Sequence, residues 1–315
     1  MNWRRKARVQ QLIARLPSEL SYRTYYWIQR HFGALRSPTP ASRLSAGIKI
    51  AEKLMAHNKP LLGHTYLEVG TGRSLSLPIG LWLCGASAGY SVDLNPYLKS
   101  ELVLADVRYL ITHGDDIVAT LPDGIDSTVF GRRLHDLTVC PLQLQAILDL
   151  LQLTYLAPAD ATAIDLPSHS IDLHLSFAVF EHIQAVTARD ILLEGRRLLK
   201  PNGLFVHGID FSDHFSHSDK SISSIHFLQF SDEDWQKIAG NRYMFHNRLR
   251  IDEFIEIFSE YSQVVESAPE LDPRAYDELC HGFPLAQGFL GRTHAYSPLV
   301  VLGLSRPPRF DFKNE

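Results

Sequence analysis

Apolar positions change rhythm along the chain. Over residues 1 to about 60 they keep helical spacing: Val9, Leu12, Ile13, Leu16 and Leu20 recur every three or four residues. A second helical piece carries Tyr22, Tyr25, Tyr26, Trp27 and Phe32, large flat surfaces suited to covering a pocket or packing on a neighbour. Gly33 and the run Ser37, Pro38, Thr39, Pro40 break the pattern as a hinge or turn. From Thr65 short apolar runs alternate with helical periodicity, the sign of βαβ units and a mostly parallel sheet. Strands are predicted near Tyr66 to Val69, Gly89 to Leu94, Thr154 to Ala157, Ile171 to Phe177 and Leu204 to Ile209, with two more around Gln263 to Glu266 and Pro298 to Leu304.

The expected fold class is α/β, with a doubly wound, seven-stranded, mostly parallel sheet carrying helices on both faces and closed by a hairpin-like last pair. Residues 1–60 read as an N-terminal helical extension or lid, and 61–315 as the main domain with insertions near 97–153 and 210–250. The first insertion, holding helical candidates Tyr97 to Thr112 and Pro141 to Leu153, reads as a cap over the sheet edge.

Composition narrows the partners. With 315 residues and 45% hydrophobic content the chain buries one large core, or a core plus a small subdomain. A net charge of -4 gives no overall attraction to a polyanion, so nucleic acid is not an expected partner. Arg4, Arg5, Lys6 and Arg8 beside the first apolar stripe suit either peripheral contact with an anionic membrane or packing of that helix on its own domain. No apolar run is long enough to span a bilayer. Cys84, Cys140 and Cys280 show no C-x-x-C spacing, which argues against a disulfide framework and a structural zinc site and favours a cytoplasmic setting.

The strongest chemical signal is TYLEVGTGRS, Thr65 to Ser74, where an apolar strand runs straight into Gly70-Thr71-Gly72 and then an apolar helix. Glycine suits a tight strand-to-helix turn that a ligand approaches closely, and Ser74 is placed to cap the helix. The next strand ends in Asp93, about twenty residues later, where an acid accepts hydrogen bonds from ribose hydroxyls. Leu75 stands where a dinucleotide fingerprint wants its third glycine, which disfavours NAD or FAD.

With these residues the chain resembles the class I S-adenosylmethionine-dependent methyltransferases, in their small-molecule branch, from about Tyr66 to Asp210. The fold implied is Rossmann-like. LEVGTG resembles the family's first motif, so the resemblance implies that Glu68 helps organise the methionine end, that Gly70, Thr71 and Gly72 form the cofactor loop, and that Asp93, followed by Leu94, holds the ribose. APADATAIDLPSHSIDL, Ala157 to Leu173, resembles the third motif and puts Asp160 at the adenine amino group and Ala161 at its ring. In HLSFAVFEHI, His174 to Ile183, Phe177 and the pair Glu181-His182 take the edge nearest the sulfonium and acceptor. RRLLKPNGLFVH, Arg196 to His207, resembles the helix, turn and fifth strand that follow. Asp172 and Pro201-Asn202-Gly203 also read as plain structural positions. The cofactor implied is S-adenosylmethionine.

The acceptor is less legible. SFAVFEH replaces the Asn/Asp-Pro-Pro-Tyr/Phe motif of amino-group methylation, and no Pro-Cys pair serves cytosine ring attack, so nucleic-acid methylation is disfavoured. Base candidates cluster after the fifth strand in Asp210, Asp213, His214 and His217, since a histidine near its ordinary pKa takes a proton from an alcohol and a carboxylate orients it. His182, Asp210 and His214 are the expected catalytic residues. The same Asp and His residues could instead hold a divalent ion, but their spacing matches no metal motif and none is assigned. Tyr243, His246, Asn247 and Arg248 are further acceptor-side candidates. The segment after the fifth strand and the aromatic N-terminus look similar to methyltransferases of saccharide pathways, which makes O-methylation of a sugar hydroxyl or similar small polar acceptor the working expectation. A cofactor-binding scaffold without catalysis and a nicotinamide oxidoreductase are the alternatives.

Overall fold

The computed structural model describes residues 1–36, 41–269, 272–289 and 301–306. The expected Ser37 to Pro40 hinge and the start of the last predicted strand lie outside them. In chain order the elements are α1 (Trp3–Ala14), α2 (Ser18–Phe32), α3 (Ala41–Ala56), β1 (Thr65–Val69), α4 (Ser76–Leu83), β2 (Ala88–Val92), α5 (Ser100–Ala119), α6 (Ser127–Val139), α7 (Leu144–Leu150), β3 (Leu153–Leu156), β4 (Ile171–Phe177), α8 (Ala185–Leu198), β5 (Leu199–Ile209), α9 (Asp232–Ala239), α10 (Ile251–Ser259), β6 (Gln263–Pro269), α11 (Pro273–Cys280) and β7 (Val301–Arg306). They divide into a sheet unit, Pro38–Phe177 with Asp190–His207 and Leu304–Glu315, and a second unit, Met1–Ser37 with Ala178–Arg189 and Gly208–Gly303.

In the sheet unit five strands stand in the order β3-β2-β1-β4-β5. β1 runs parallel to β2 with Thr65 opposite Ala88, and parallel to β4 with Tyr66 opposite Leu173; β2 and β3 are likewise parallel. Tyr66, Leu67 and Val69 are all buried, as in a strand covered on both faces. Every residue of α4 is buried, which explains an apolar helix without a polar face. It meets α3 backbone to backbone, because a Cβ on Gly80 would sit 2.8 Å from the Leu44 carbonyl oxygen and one on Gly47 would sit 3.0 Å from that of Leu77.

One expectation is corrected here. α3 belongs to the sheet unit, so the N-terminal extension drawn over 1–60 ends near residue 37; helical periodicity alone could not reveal which surface α3 covers. Five of the sheet's strands lie in this unit, and β7 and β6 follow β5 in the seven-stranded order β3-β2-β1-β4-β5-β7-β6. β6 and β7 do form, but β6 lies in the second unit and β7 crosses the division. The insertion expected over 97–153 folds as α5, α6 and α7.

The second unit has its own core, in which Trp3, Ala7, Phe215, Phe227, Trp235 and Met244 are buried together. α1 is tied to the segment after β5: the Met1 ammonium donates to the Ser218 carbonyl at 2.9 Å, and the Trp3 amide to Asp219 Oδ2 at 2.8 Å. Its buried stripe is Trp3, Ala7, Gln10 and Ile13; of the expected positions Ile13 is on it, whereas Val9 and Leu12 are exposed and Leu16 lies beyond the helix end. The Trp3 ring sets that rotation by packing edge-on against His226 at 4.8 Å, leaving Leu12 exposed. In α2, Tyr25 stacks on Tyr243 at 4.0 Å, whereas Trp27 and Phe32 are exposed. No described helix is long and apolar enough to cross a membrane.

Candidate functional site

The sheet unit brings the expected cofactor residues to the end of β1 and β2. Gly70 and Gly72 take φ of 80° and 77°, the left-handed region that only glycine enters cheaply. A Cβ on Gly72 would meet nothing nearer than the Arg43 guanidinium at 3.7 Å, so that side of the loop is open to a ligand. Beneath the loop, buried Glu68 accepts from Thr71 Oγ1 at 2.7 Å and from Ser91 Oγ at 3.0 Å. Its carboxylate therefore holds the turn to β2. Burial raises its pKa, against the Thr71, Arg43 and Ser91 contacts. Arg43 pins the other side by donating to the Thr71 carbonyl at 2.9 Å.

Asp93 closes the loop from β2. Its carboxylate accepts from the Gly72 amide, at 3.0 Å to Oδ2, and from the Tyr155 hydroxyl at 3.0 Å. Burial pushes its pKa up to about 7; the Tyr155 and Gly72 hydrogen bonds oppose that, Glu68 adds to it, and Arg43 opposes it. The Asp93 amide donates to Leu156, and its carbonyl accepts from Ala159 at 2.9 Å, fastening the stretch that leads to Asp160 and Ala161. Asp160 is exposed and accepts from the Thr162 amide and hydroxyl at 2.9 and 2.8 Å. Leu94 is exposed and Phe177, ending β4, is half-buried. Ser74 does not cap α4; its hydroxyl pairs with that of Ser76, which in turn donates to Asp106 at 2.6 Å. Asp172 accepts from the Thr65 amide and pairs with Lys200 at 2.8 Å, a structural role.

Tyr155 and Arg43 were not legible as site residues: one is an ordinary strand aromatic, the other an ordinary helix cation. Also missed were the neutral histidines of β4 and β5. His207 Nδ1 lies 2.8 Å from Ser176 Oγ and its Nε2 lies 3.4 Å from His174 Nδ1. Burial drives His174 down to about 3, against Glu194, and His207 well below its ordinary value, helped by His174.

The expected catalytic residues gather in the second unit, on the segments that follow β4 and β5 in the chain. The His182 and His214 rings lie 4.8 Å apart, and His214 Nε2 is 3.3 Å from Asp210 Oδ2. Asp210 also accepts from the Ser212 amide at 2.8 Å. Burial would raise Asp210, but the His214 hydrogen bond and charge, with Ser212, hold it well below the carboxylate range. Burial would lower His214, but Asp210, Glu181 and Asp213 lift it above its ordinary value. That shift sets His214 apart from the histidine near its ordinary pKa that was expected. His182 moves down, by desolvation and then by His214. Its Nδ1 donates to the Phe245 carbonyl at 2.7 Å, which leaves the lone pair on Nε2. Glu181 is fully buried and is pushed up to about 8 by that burial, against His214 and the nearby backbone amides of Glu181 and Asp210.

The remaining polar candidates hold loops together. Asp213 is buried against His226 Nδ1 at 2.8 Å. Asn247 Nδ2 donates to the Phe180 and Ile183 carbonyls at 2.7 and 2.8 Å, clamping the short turn that carries Glu181 and His182. His246 accepts from the Arg248 amide, and Arg248 donates to the Phe227 and Phe230 carbonyls and pairs with Asp232. Tyr243 packs on Tyr25.

A family model described as a methyltransferase domain matches residues 130–207. No curated protein sequence matches the chain. Among solved structures it is similar to the PH0226 protein from Pyrococcus horikoshii OT3, at 12% identity over 90% of this chain and 99% of that one, TM-score 0.45. It is also similar to the geranyl diphosphate C-methyltransferase of Streptomyces coelicolor A3(2), at 13% identity over 82% and 77%, TM-score 0.45. At such scores these likenesses decide nothing further. The matched segment runs from α6 through β4 to β5, and the two left-handed glycines and Asp93 directly follow β1 and β2; over that segment the chain is similar to a methyltransferase domain.

Proposed function

We propose that the chain methylates an oxygen of a small polar acceptor such as a sugar hydroxyl, using S-adenosylmethionine. The observation that carries the cofactor half is the closure of Asp93 onto the Gly72 amide at 3.0 Å, beside an open, left-handed glycine loop. That arrangement fits a ribose-bearing cofactor: Asp93 would hold the ribose, the Gly70 to Gly72 backbone would face the methionine end, and Leu94, Asp160 and Ala161 would border the base. When bound, S-adenosylmethionine supplies an electrophilic methyl on a sulfonium. The donor is then already activated, so the protein's work is to align the acceptor, keep water out and take up charge.

His182, Asp210 and His214 are assigned to the acceptor. Support for an oxygen acceptor is the gathering of two imidazoles and two carboxylates on the segments after β4 and β5, since a hydroxyl must lose its proton as the methyl arrives. Peripheral membrane contact through Val9, Leu12 and the basic residues of α1 is a further proposal, supported by the exposure of both apolar side chains.

Turnover of a saccharide and small-alcohol panel with radiolabelled cofactor tests the acceptor. His182→Ala and His214→Ala should each lose at least about tenfold in kcat with cofactor affinity retained. Full turnover by both variants, or methyl transfer to carbon alone, would remove the assignment.

A further inference from the structure

Glu181 is fully buried, and neither of its carboxylate oxygens closes a hydrogen bond of good geometry, although the Glu181 and Asp210 amides lie close enough to act on it. An acid sequestered in this way needs an opposite charge or an ion to account for it. The turn that carries it is not loose: Asn247 grips the carbonyls on both sides, and the Asn247 amide donates to the Glu181 carbonyl at 2.8 Å. The carboxylate is therefore held in place by its backbone.

Two imidazoles stand beside it. His182 commits Nδ1 to the Phe245 carbonyl, fixing the tautomer that offers Nε2, which is how metal-binding histidines are commonly oriented. His214 has Asp210 at 3.3 Å as an outer carboxylate partner. One ligand atom from each of Glu181, His182 and His214 lies within 4.8 Å of the others. Tetrahedral ligands at bond lengths of about 2.1 Å are roughly 3.4 Å apart, so closure on an ion draws these atoms together by up to about 1.4 Å, within reach of side-chain rotation.

A second triple, Asp210, His214 and His217, meets the same distance and shares His214. Its groups are already engaged: Asp210 accepts from the Ser212 amide and His217 Nε2 lies 2.9 Å from Ser212 Oγ. The carboxylate without a well-formed hydrogen bond favours the first triple.

We propose that Glu181, His182 and His214 bind a divalent first-row transition metal ion, with Asp210 as its outer partner. Two imidazoles and one carboxylate suit zinc, manganese or iron and leave coordination positions open to an oxygen donor. The ion thereby deepens the reading of the acceptor side and rests on that reading only for its role, not for its binding.

The test is metal binding by tag-free, chelator-stripped full-length protein, titrated with Co2+ and read by its visible absorption, with Zn2+ as competitor. One equivalent should bind. Glu181→Gln and His182→Ala should each weaken binding at least about tenfold, Asp210→Asn should weaken it within about 10- to 100-fold, and His217→Ala should leave it unchanged. S-adenosylmethionine titrations of the same preparations report folding and test the cofactor reading separately. Wild type that binds cofactor but no metal would overturn the proposal, as would Glu181→Gln binding metal like wild type. Loss in His217→Ala alone would also overturn it, moving the ion to the other triple. Metal uptake without cofactor binding would support the inference while sinking the methyltransferase reading.

Discussion

Replacing Asp93 by asparagine separates the charge of this side chain from its shape. In the free protein burial pushes the carboxyl up to about 7, although Gly72 and Tyr155 both donate to it. Two ribose hydroxyls prefer the ionised form, so cofactor binding and protonation of Asp93 compete. Between pH 8 and pH 6 the wild-type affinity should fall about tenfold, the consequence of one proton with a pKa near 7. The sign for folding is opposite: with its pKa raised in the native state, Asp93 makes the cofactor-free protein more stable as the pH falls through about 7. Asp93→Asn removes the charge from two hydrogen bonds worth about 1.5 kcal/mol each, and should weaken binding at pH 8 by roughly 150-fold. Its affinity should no longer change between pH 8 and 6. Calorimetric titration with S-adenosylmethionine at both pH values reads all of this. A flat wild type, or a variant that keeps the tenfold slope, would refute the assignment of Asp93 as the ionised ribose acceptor.

Three further outcomes follow from the same contacts. Tyr155→Phe removes one donor to Asp93, so the midpoint of the pH dependence should move upward and affinity at pH 7 should fall severalfold; an unchanged midpoint would remove Tyr155 from the site. Gly72→Ala at φ 77° should cost about 1 to 2 kcal/mol in urea unfolding and weaken cofactor binding, and an equally stable variant would contradict the left-handed turn. His207 is neutral in the folded state because its pKa lies well below 6.5. Its contribution is complete above 6.5 and declines as the pH falls, so the stability difference between wild type and His207→Gln should shrink below pH 6.5, by at most about 1.4 kcal/mol per pH unit; a difference constant with pH would sink that reading.

What was legible in the sequence is what the backbone alone decides. The turn at Gly70 and Gly72 was legible because a strand-to-helix turn with this spacing admits few side chains, and the structure gives both glycines positive φ with Asp93 beside them. The five parallel strands were found because burial on both faces writes itself as short apolar runs. Of the apolar positions read in α1, Ile13 lies on the buried face but Val9 and Leu12 do not, because the helix rotation is set by Trp3, whose ring packs on Phe215 and His226 more than two hundred residues away. The boundary of the N-terminal extension failed for a similar reason: α3 is fixed by the close approach of Gly47 and Gly80 to backbone carbonyls, an event that leaves no mark on helical periodicity.

The polar cluster shows the same division at the level of chemistry. His182, Asp210 and His214 were recognisable as residue types, but what each can do depends on partners distant in sequence. Asp210 shifts His214 upward, and Phe245 leaves His182 its Nε2 lone pair while burial shifts it downward, so two histidines of equal promise in the sequence are moved in opposite directions by the fold. Glu181 gave no sign of burial beyond lying in a recognised motif. Its position depends on Asn247, across more than sixty residues, and an acid shielded from water without a well-formed hydrogen bond is the feature of this cluster that most constrains its chemistry. A hydroxyl-directed base needs only one neutral imidazole, whereas a buried acid without a well-formed hydrogen bond beside two imidazoles is what a bound cation would complete. That difference is why the cluster argues for an ion more strongly than it argues for any single histidine as a base.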